Sequence, residues 1–433
     1  MFGNYKLYSY LCSYKQFDNN IIMITKEQFE ELLDIELIEK DGKLVYDDDL
    51  NLFKRKYITE LPDNLKVLGN LVLNQTGVTK LPKGLEVEKS LEISYTAIEE
   101  LLEDTKFGGY LFANNMKKPF SFPKVVKVNG SFECKNTTIK HMPEELYING
   151  SCYFSGSTFD KLPNMIEVGY DLHLYDTPIT ELPECIKEVY GELDISNTKV
   201  TKLNDNLVVY GHLVLDNTEI KELPEGFITG EHLFKNHKLS NCTDLHKKCA
   251  SFSLFRGCNL GQYKPEEDYH IVSSYTSDRV YFEPNYKDAY LFENENGKYI
   301  KFYDIFGKIV EQRGNVYHIK RDKSGKITYL VTDGEGRWSH SYILEVAKAD
   351  LIYEITKRGE DFYKDLTLDS ELSFQDAILC FMIITGACLF RDKDFIGELL
   401  NENKKDSYAI KDIIELTKDA HGNEYFKDFF CKD

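Results

Sequence analysis

The sequence predicts a solenoid of short coils, each with a short strand and an extended convex side, followed by an α+β domain. Three observations carry this. First, the pattern L-P-x-x-L-x-V-x-G-x-L-x-L-x-x-T-x-I-x-x occurs in nine copies between about Ile58 and His232. Second, its first apolar position falls at Leu61, Leu81, Leu101, Phe122, Met142, Leu162, Leu182, Leu203 and Leu223, in steps of 20 or 21 residues. A fixed period of this length marks a solenoid, because each unit buries its apolar face only by stacking on its neighbours. Third, residues 269–433 lack the repeat and alternate aromatic and β-branched runs with turn signals, then with helical patterns.

Residues 1–57 read as an N-terminal cap, needed because the first repeat otherwise exposes an open core edge. Thr25-Lys26-Glu27-Gln28 has the form of a capping box, and Phe29, Leu32 and Leu33 supply an apolar helical face behind it. Met23 is an alternative start, which would make residues 1–22 an extension.

Residues 58–232 are the repeats. The G-x-L-x-L segment alternates with period two, as a short strand does, with its Leu residues inward. Twenty residues leave no room for a return helix of ordinary length, so L-P-x-x-L is expected to run extended or polyproline-like on the convex side. The Gly suits a tight bend before the strand. Thr recurs at Thr76, Thr96, Thr137, Thr158, Thr177, Thr198 and Thr218, where a hydroxyl is expected to bond the backbone of the next coil in a ladder. The third copy is degenerate, with Leu102 for Pro and Met116 for Thr, and the copy at Leu203 has Asn204 for Pro.

The run Leu172-His173-Leu174-Tyr175-Asp176-Thr177-Pro178-Ile179-Thr180-Glu181-Leu182-Pro183 resembles the leucine-rich repeat of the short bacterial type, with Thr where that type has Asn. The resemblance covers about 175 residues. It implies a curved solenoid with a parallel sheet on the concave face, and a role in protein recognition.

Residues 233–268 read as a C-terminal cap or linker. His237, Cys242, His246, Cys249 and Cys258 gather there, but their spacing fits no zinc knuckle, and buried thiols of a cap are preferred. Residues 269–433 form the α+β domain. Tyr299–Tyr303, Val316–Ile319 and Ile327–Val331 read as strands of an antiparallel meander. Helices are expected from about Ser341 to Ile355, from Ser373 with Asp376 as capping acid to about Leu389, and over 393–400, 410–417 and 424–430. The stretches Trp338-Ser339-His340, Ile384-Thr385-Gly386-Ala387-Cys388 and His421-Gly422-Asn423-Glu424-Tyr425-Phe426 resemble a C-terminal domain of uncharacterised phage and prophage proteins. That resemblance implies an origin in a mobile element and carries no activity.

The formal net charge of −19 argues against direct nucleic-acid binding by phosphate neutralisation and against an anionic membrane surface. It suits solubility, or a basic partner such as a nucleic-acid enzyme. No signal peptide opens the chain, and the apolar run from Ala377 to Phe390 is too short to span a bilayer. Ten cysteines with no CxxC read as free thiols, so a cytoplasmic protein is expected.

No phosphate loop, HExxH or GxSxG is present, and no cofactor is expected. An enzyme would have to be thiol-dependent, with Cys388 and His340 or His421 as base, but Cys388 lies in the most apolar helical stretch, where a thiol packs as a small hydrophobe. Gly386, Ala387 and Cys388 more simply allow close helix packing. Cys431-Lys432-Asp433 resembles the Cys-x-Asp of repeat-bearing ubiquitin ligases, without the helical domain around it. Sequestration of a small ligand or nucleotide is a further alternative. The preferred expectation is a non-catalytic protein-binding module. Its concave face would present Tyr153, His173 and Tyr175 as a stacked cluster, with Glu133 and Lys135 beside it and Asp176, Asp194 and Asp216 flanking. The expected partner is a protein, such as a host immune protein or a basic nucleic-acid enzyme.

Overall fold

The structure is a computed structural model that describes residues 24–235, 249–255, 269–273, 279–284, 289–386, 397–400, 402 and 405–431, with backbone alone over 234–284. The chain forms two compact units, Met1–Glu283 and Pro284–Asp433.

The first unit begins with helix α1 (Lys26–Leu33). Its capping box is formed: the Thr25 hydroxyl accepts from the Gln28 amide, and the Gln28 side chain accepts from the Thr25 amide. Phe29 is wholly buried.

A parallel β-solenoid of stacked coils follows over residues 44–233, and its spacing fits a short repeat type. The main sheet is built from the strands expected at G-x-L-x-L: Leu71–Val72, Leu91–Glu92, Leu111–Phe112, Phe132–Glu133, Cys152–Tyr153, Leu172–His173, Leu193–Asp194 and Leu213–Val214. A rung before the nine copies, Leu50–Asn51, pairs with Leu71–Val72. At the far end Ile228–Lys235 is followed by Cys249–Phe255, and Arg279–Pro284 pairs antiparallel with the latter. The strands at 269–284 thus join the solenoid's sheet, and the second unit starts at Pro284.

The convex segment differs from a solvated polyproline run. Its L-x-V part hydrogen-bonds from coil to coil in three parallel ladders, which begin at Lys43–Tyr46, Val125–Val128 and Glu188–Val189. Stacked extended segments satisfy their amides this way, which a polyproline helix leaves to water. Both breaks between ladders, Phe107 to Val128 and Val168 to Val189, fall at 21-residue steps. The step from Leu44 to Leu65 is also 21 and stays paired, so the extra residue permits a break without forcing it. The main sheet runs through all of these steps unbroken.

Inside the coils, Leu71, Leu73, Leu91, Ile93, Leu172 and Leu174 are almost wholly buried. Where the repeat places small Ala113, Cys134 and Cys152 at Leu positions, aromatic rings fill the space. Phe120, Phe122, Phe132 and Phe154 make successive edge-to-face contacts with centroids 4.9, 5.5 and 5.3 Å apart.

The hydroxyl ladder needs correction. Thr76, Thr96, Thr198 and Thr218 donate to the carbonyl three residues earlier in their own coil, at 2.6–2.7 Å. They close the turn that follows each strand. Its preceding residue is left-handed, as at Gln75, Asn136, Asp176 and Asn217. Thr137 and Ser157 instead reach the preceding coil, at the carbonyls of Ala113 and Cys134. Ser157, not Thr158, occupies the inward position; Thr158 is exposed and accompanies Thr138. The repeat glycine also has another cause. Gly69, Gly150 and Gly211 keep negative φ, but a Cβ on any of them would strike the preceding coil's backbone, as would one on Gly108 or Gly169, which stand one residue before the repeat position.

In the second unit, six antiparallel strands pair in chain order: Tyr290–Asn294, Gly297–Phe302, Ile305–Arg313, Val316–Lys320, Ile327–Thr332 and Trp338–Ser341. Helix α2 (Leu344–Thr356) packs Ala347 and Leu351 against Val331. Its Val346 and Ala349 join α3 (Phe374–Thr385), α4 (Ile410–Leu416) and α5 (Asn423–Phe430) in a second core with Phe381, Ile413 and Phe426. Ser373 caps α3: its hydroxyl accepts from the Asp376 amide and donates to the Asp376 carboxylate. Ser373→Ala is expected to cost this unit about 1 kcal/mol, measured by chemical denaturation; an unchanged midpoint would show the cap idle. The helix stops at Thr385, short of the expected Leu389, because Gly386 turns left-handed at φ 70°. Among the described residues nothing lies within 4 Å of a Cβ placed on Gly386, and its left-handed backbone ends the helix.

Candidate functional site

Strand alternation leaves three columns of side chains on the open face of the main sheet. The middle column holds Glu133, Tyr153, His173 and Asp194 in consecutive register. Lys135, Tyr175 and Asp216 belong to the column two residues further along each coil. The third column, immediately before the strand Leu, carries Asp171, Glu192, His212 and His232.

Tyr153 and His173 stack nearly face to face, with centroids 4.8 Å apart and planes 15° from parallel. Lys135 places Nζ 4.4 Å from the Tyr153 ring centroid and 3.2 Å from Glu133. Glu133 in turn accepts from the Asn114 amide at 2.9 Å. Tyr175 is 39% exposed and stands in its own column, outside the expected triple stack. Asp176 is not a strand residue; it takes the left-handed turn position at φ 55°. Asp216 is partly buried one coil beyond Ser196.

Sequence reasoning missed Glu192. Glu192 stands between Gly191 and Leu193, just before the strand Leu. The same period-two rule applied one residue earlier would have found it. Glu192 Oε1 lies 3.7 Å from His173 Nδ1. Burial raises the Glu192 pKa; His173 opposes this, and the like charges of Asp194 and Asp171 add to the rise. Asp194 Oδ1 accepts from both the amide and hydroxyl of Ser196, at 2.9 and 2.6 Å. Asp171 Oδ1 accepts from the Glu192 amide at 2.8 Å.

For thiol chemistry, Cys388 lies outside the described residues, as do His237, Cys242, His246 and Cys258, and of Cys249 only the strand backbone is described. Among the described thiols, burial pushes Cys134 up to about 12 and raises Cys152 and Cys380 as well, which disfavours the nucleophilic thiolate. His340 lies on the last strand of the antiparallel sheet, opposite Leu330, and His421 is exposed just before α5. Cys431 is exposed at the end of α5, and Asp433 lies outside the described residues. No helix among the described residues is long and apolar enough to cross a membrane. Comparison with protein-family models, with curated proteins and with solved structures finds no match.

Proposed function

We propose that this chain is a non-catalytic, cytoplasmic protein-binding module of leucine-rich repeat type, gripping its partner with the open face of the main sheet. The observation that carries this is the tethered row Asn114–Glu133–Lys135–Tyr153–His173, which presents aromatic surface in a set geometry. A pre-ordered aromatic row loses little side-chain entropy on binding, and Tyr is a recurrent interface anchor. The narrower proposal is a phage-encoded inhibitor or modulator of a host immune protein or basic nucleic-acid enzyme, with the C-terminal domain adding a second contact. The C-terminal resemblance and the charge of −19 support it.

Tagged protein, with Tyr153→Ala and Tyr95→Asn in parallel, tests this by capture from host lysates. Tyr95 is exposed in a left-handed turn that Asn tolerates, so that variant is the control. A partner held by the control and weakened about 30-fold or more by Tyr153→Ala is expected. Equal capture by all three proteins, or none by any, would sink the proposal.

A further inference from the structure

His173, Glu192 and Asp194 come from two adjacent coils, and their ligand atoms all lie within 4.8 Å of one another. We propose that they form a binding site for a zinc-class divalent transition-metal ion on the open face of the main sheet. This goes beyond protein recognition and does not depend on it. No local motif announces the site, because its ligands stand about a coil apart in sequence.

Three features favour an ion over a plain surface ion pair. The side chains are partly sheltered, at 18% exposure for His173 and 30% for Glu192. Two of them are oriented from behind: Tyr153 stacks on the imidazole, and Ser196 holds Asp194 Oδ1 with two hydrogen bonds. Such outer contacts are what orient metal ligands. The charge is also unbalanced. Three carboxylates, Asp171, Glu192 and Asp194, crowd together beside the His173 and His212 imidazoles. A divalent cation offsets two.

The donor set selects the ion. One imidazole nitrogen with two carboxylates suits zinc, whereas calcium and magnesium take shells made of oxygen. Donors around zinc lie roughly 3–3.5 Å apart for bonds of about 2.1 Å, so modest side-chain rotations close the site. Three protein ligands leave the fourth position of a tetrahedral ion to solvent.

A neighbouring group, His212, Glu231 and His232, meets the same distance criterion. There His212 Nδ1 accepts the His232 backbone amide at 3.2 Å. That places the neutral imidazole's proton on Nε2, which blocks the nitrogen a metal would need. The site is therefore assigned to the His173 group.

The test is calorimetric titration of Zn²⁺ into the full chain after chelator treatment, with excess Mg²⁺ present throughout. His173→Ala, His173→Gln, Asp194→Asn and His212→Ala are compared with the wild type, each first shown to keep its melting temperature in chelator. The expected result is a zinc-binding step that His173→Gln and Asp194→Asn each weaken at least about tenfold, and that His212→Ala leaves intact. His173→Gln stands in if His173→Ala does not fold. Equal zinc binding by every protein, no binding by the wild type, or loss with His212→Ala alone would overturn the assignment. Equal binding would place the zinc elsewhere, for instance on a thiol cluster.

Discussion

Phe154→Ala is expected to destabilise the solenoid by about 3–5 kcal/mol, the usual cost of emptying a buried aromatic site. The ring is fully buried and touches Phe132 edge-on at 5.3 Å and Phe159 at 5.6 Å. It occupies volume that Cys134 and Cys152 leave at positions where other coils carry Leu. Neither thiol can expand into the gap, and the coil backbones are held by hydrogen bonds to both neighbours, such as Phe154 N to the His173 carbonyl at 2.9 Å. Relaxation should therefore be slight and the cavity term large. For a unit of this size the melting temperature should fall by roughly 6–20 °C, read by scanning calorimetry. Tyr153, one residue earlier, points to the opposite face, and Tyr153→Ala should shift melting by no more than about 2 °C. Similar shifts for the two variants would mean that the strand does not alternate as described.

This contrast shows why so much of the solenoid was legible. Alternation assigns each residue of G-x-L-x-L to a face, and the 20-residue period assigns neighbours. Together they bring Tyr153 beside His173 with no structural information. What escaped did so for identifiable reasons. The recurring letter Thr points to Thr158, whereas Ser157 holds the inward position and makes the bond. Glu192 stands in the column just before the strand Leu, which the inward Leu pattern leaves unmarked. Tyr175 lies two residues along from His173 and so in another column, which the period alone does not separate. In the second unit, the apolar run from Ala377 to Phe390 hid the helix end, since a glycine within such a run reads equally as a packing residue or a stop. Only its φ of 70° decides for the stop. The metal-site ligands come from two coils, His173 from one and Glu192 and Asp194 from the next, and proximity of that kind is a property of the register.

Gly169→Ala should lower solenoid stability by about 1–3 kcal/mol, with a melting shift of roughly 2–12 °C. Gly169 stands one residue before the glycine position of G-x-L-x-L, which Tyr170 fills in this coil, and a bend there would make conformational freedom its contribution. Its φ is not positive, however, so alanine could adopt the same backbone. The obstacle is contact. A Cβ there would fall onto the Asn149 carbonyl oxygen, and Gly169 N is itself held to the Gly150 carbonyl at 3.1 Å. A side-chain neighbour could rotate aside, but a carbonyl inside a hydrogen-bonded coil must take its whole coil with it. Gly108 faces the Glu88 carbonyl in the same way, so Gly108→Ala should behave alike. Gly359→Ala is the control: it has open space around it and an extended backbone, and should be neutral or slightly stabilising. If Gly169→Ala melts with the wild type, the coils hold enough slack to admit a methyl group. Close contact with the Asn149 carbonyl would then not be the reason for a glycine at this position. If it melts early while Gly359→Ala does not, the glycine sets the closest approach of one coil to the next. That spacing also governs how Tyr153, His173 and Glu192 meet across neighbouring coils.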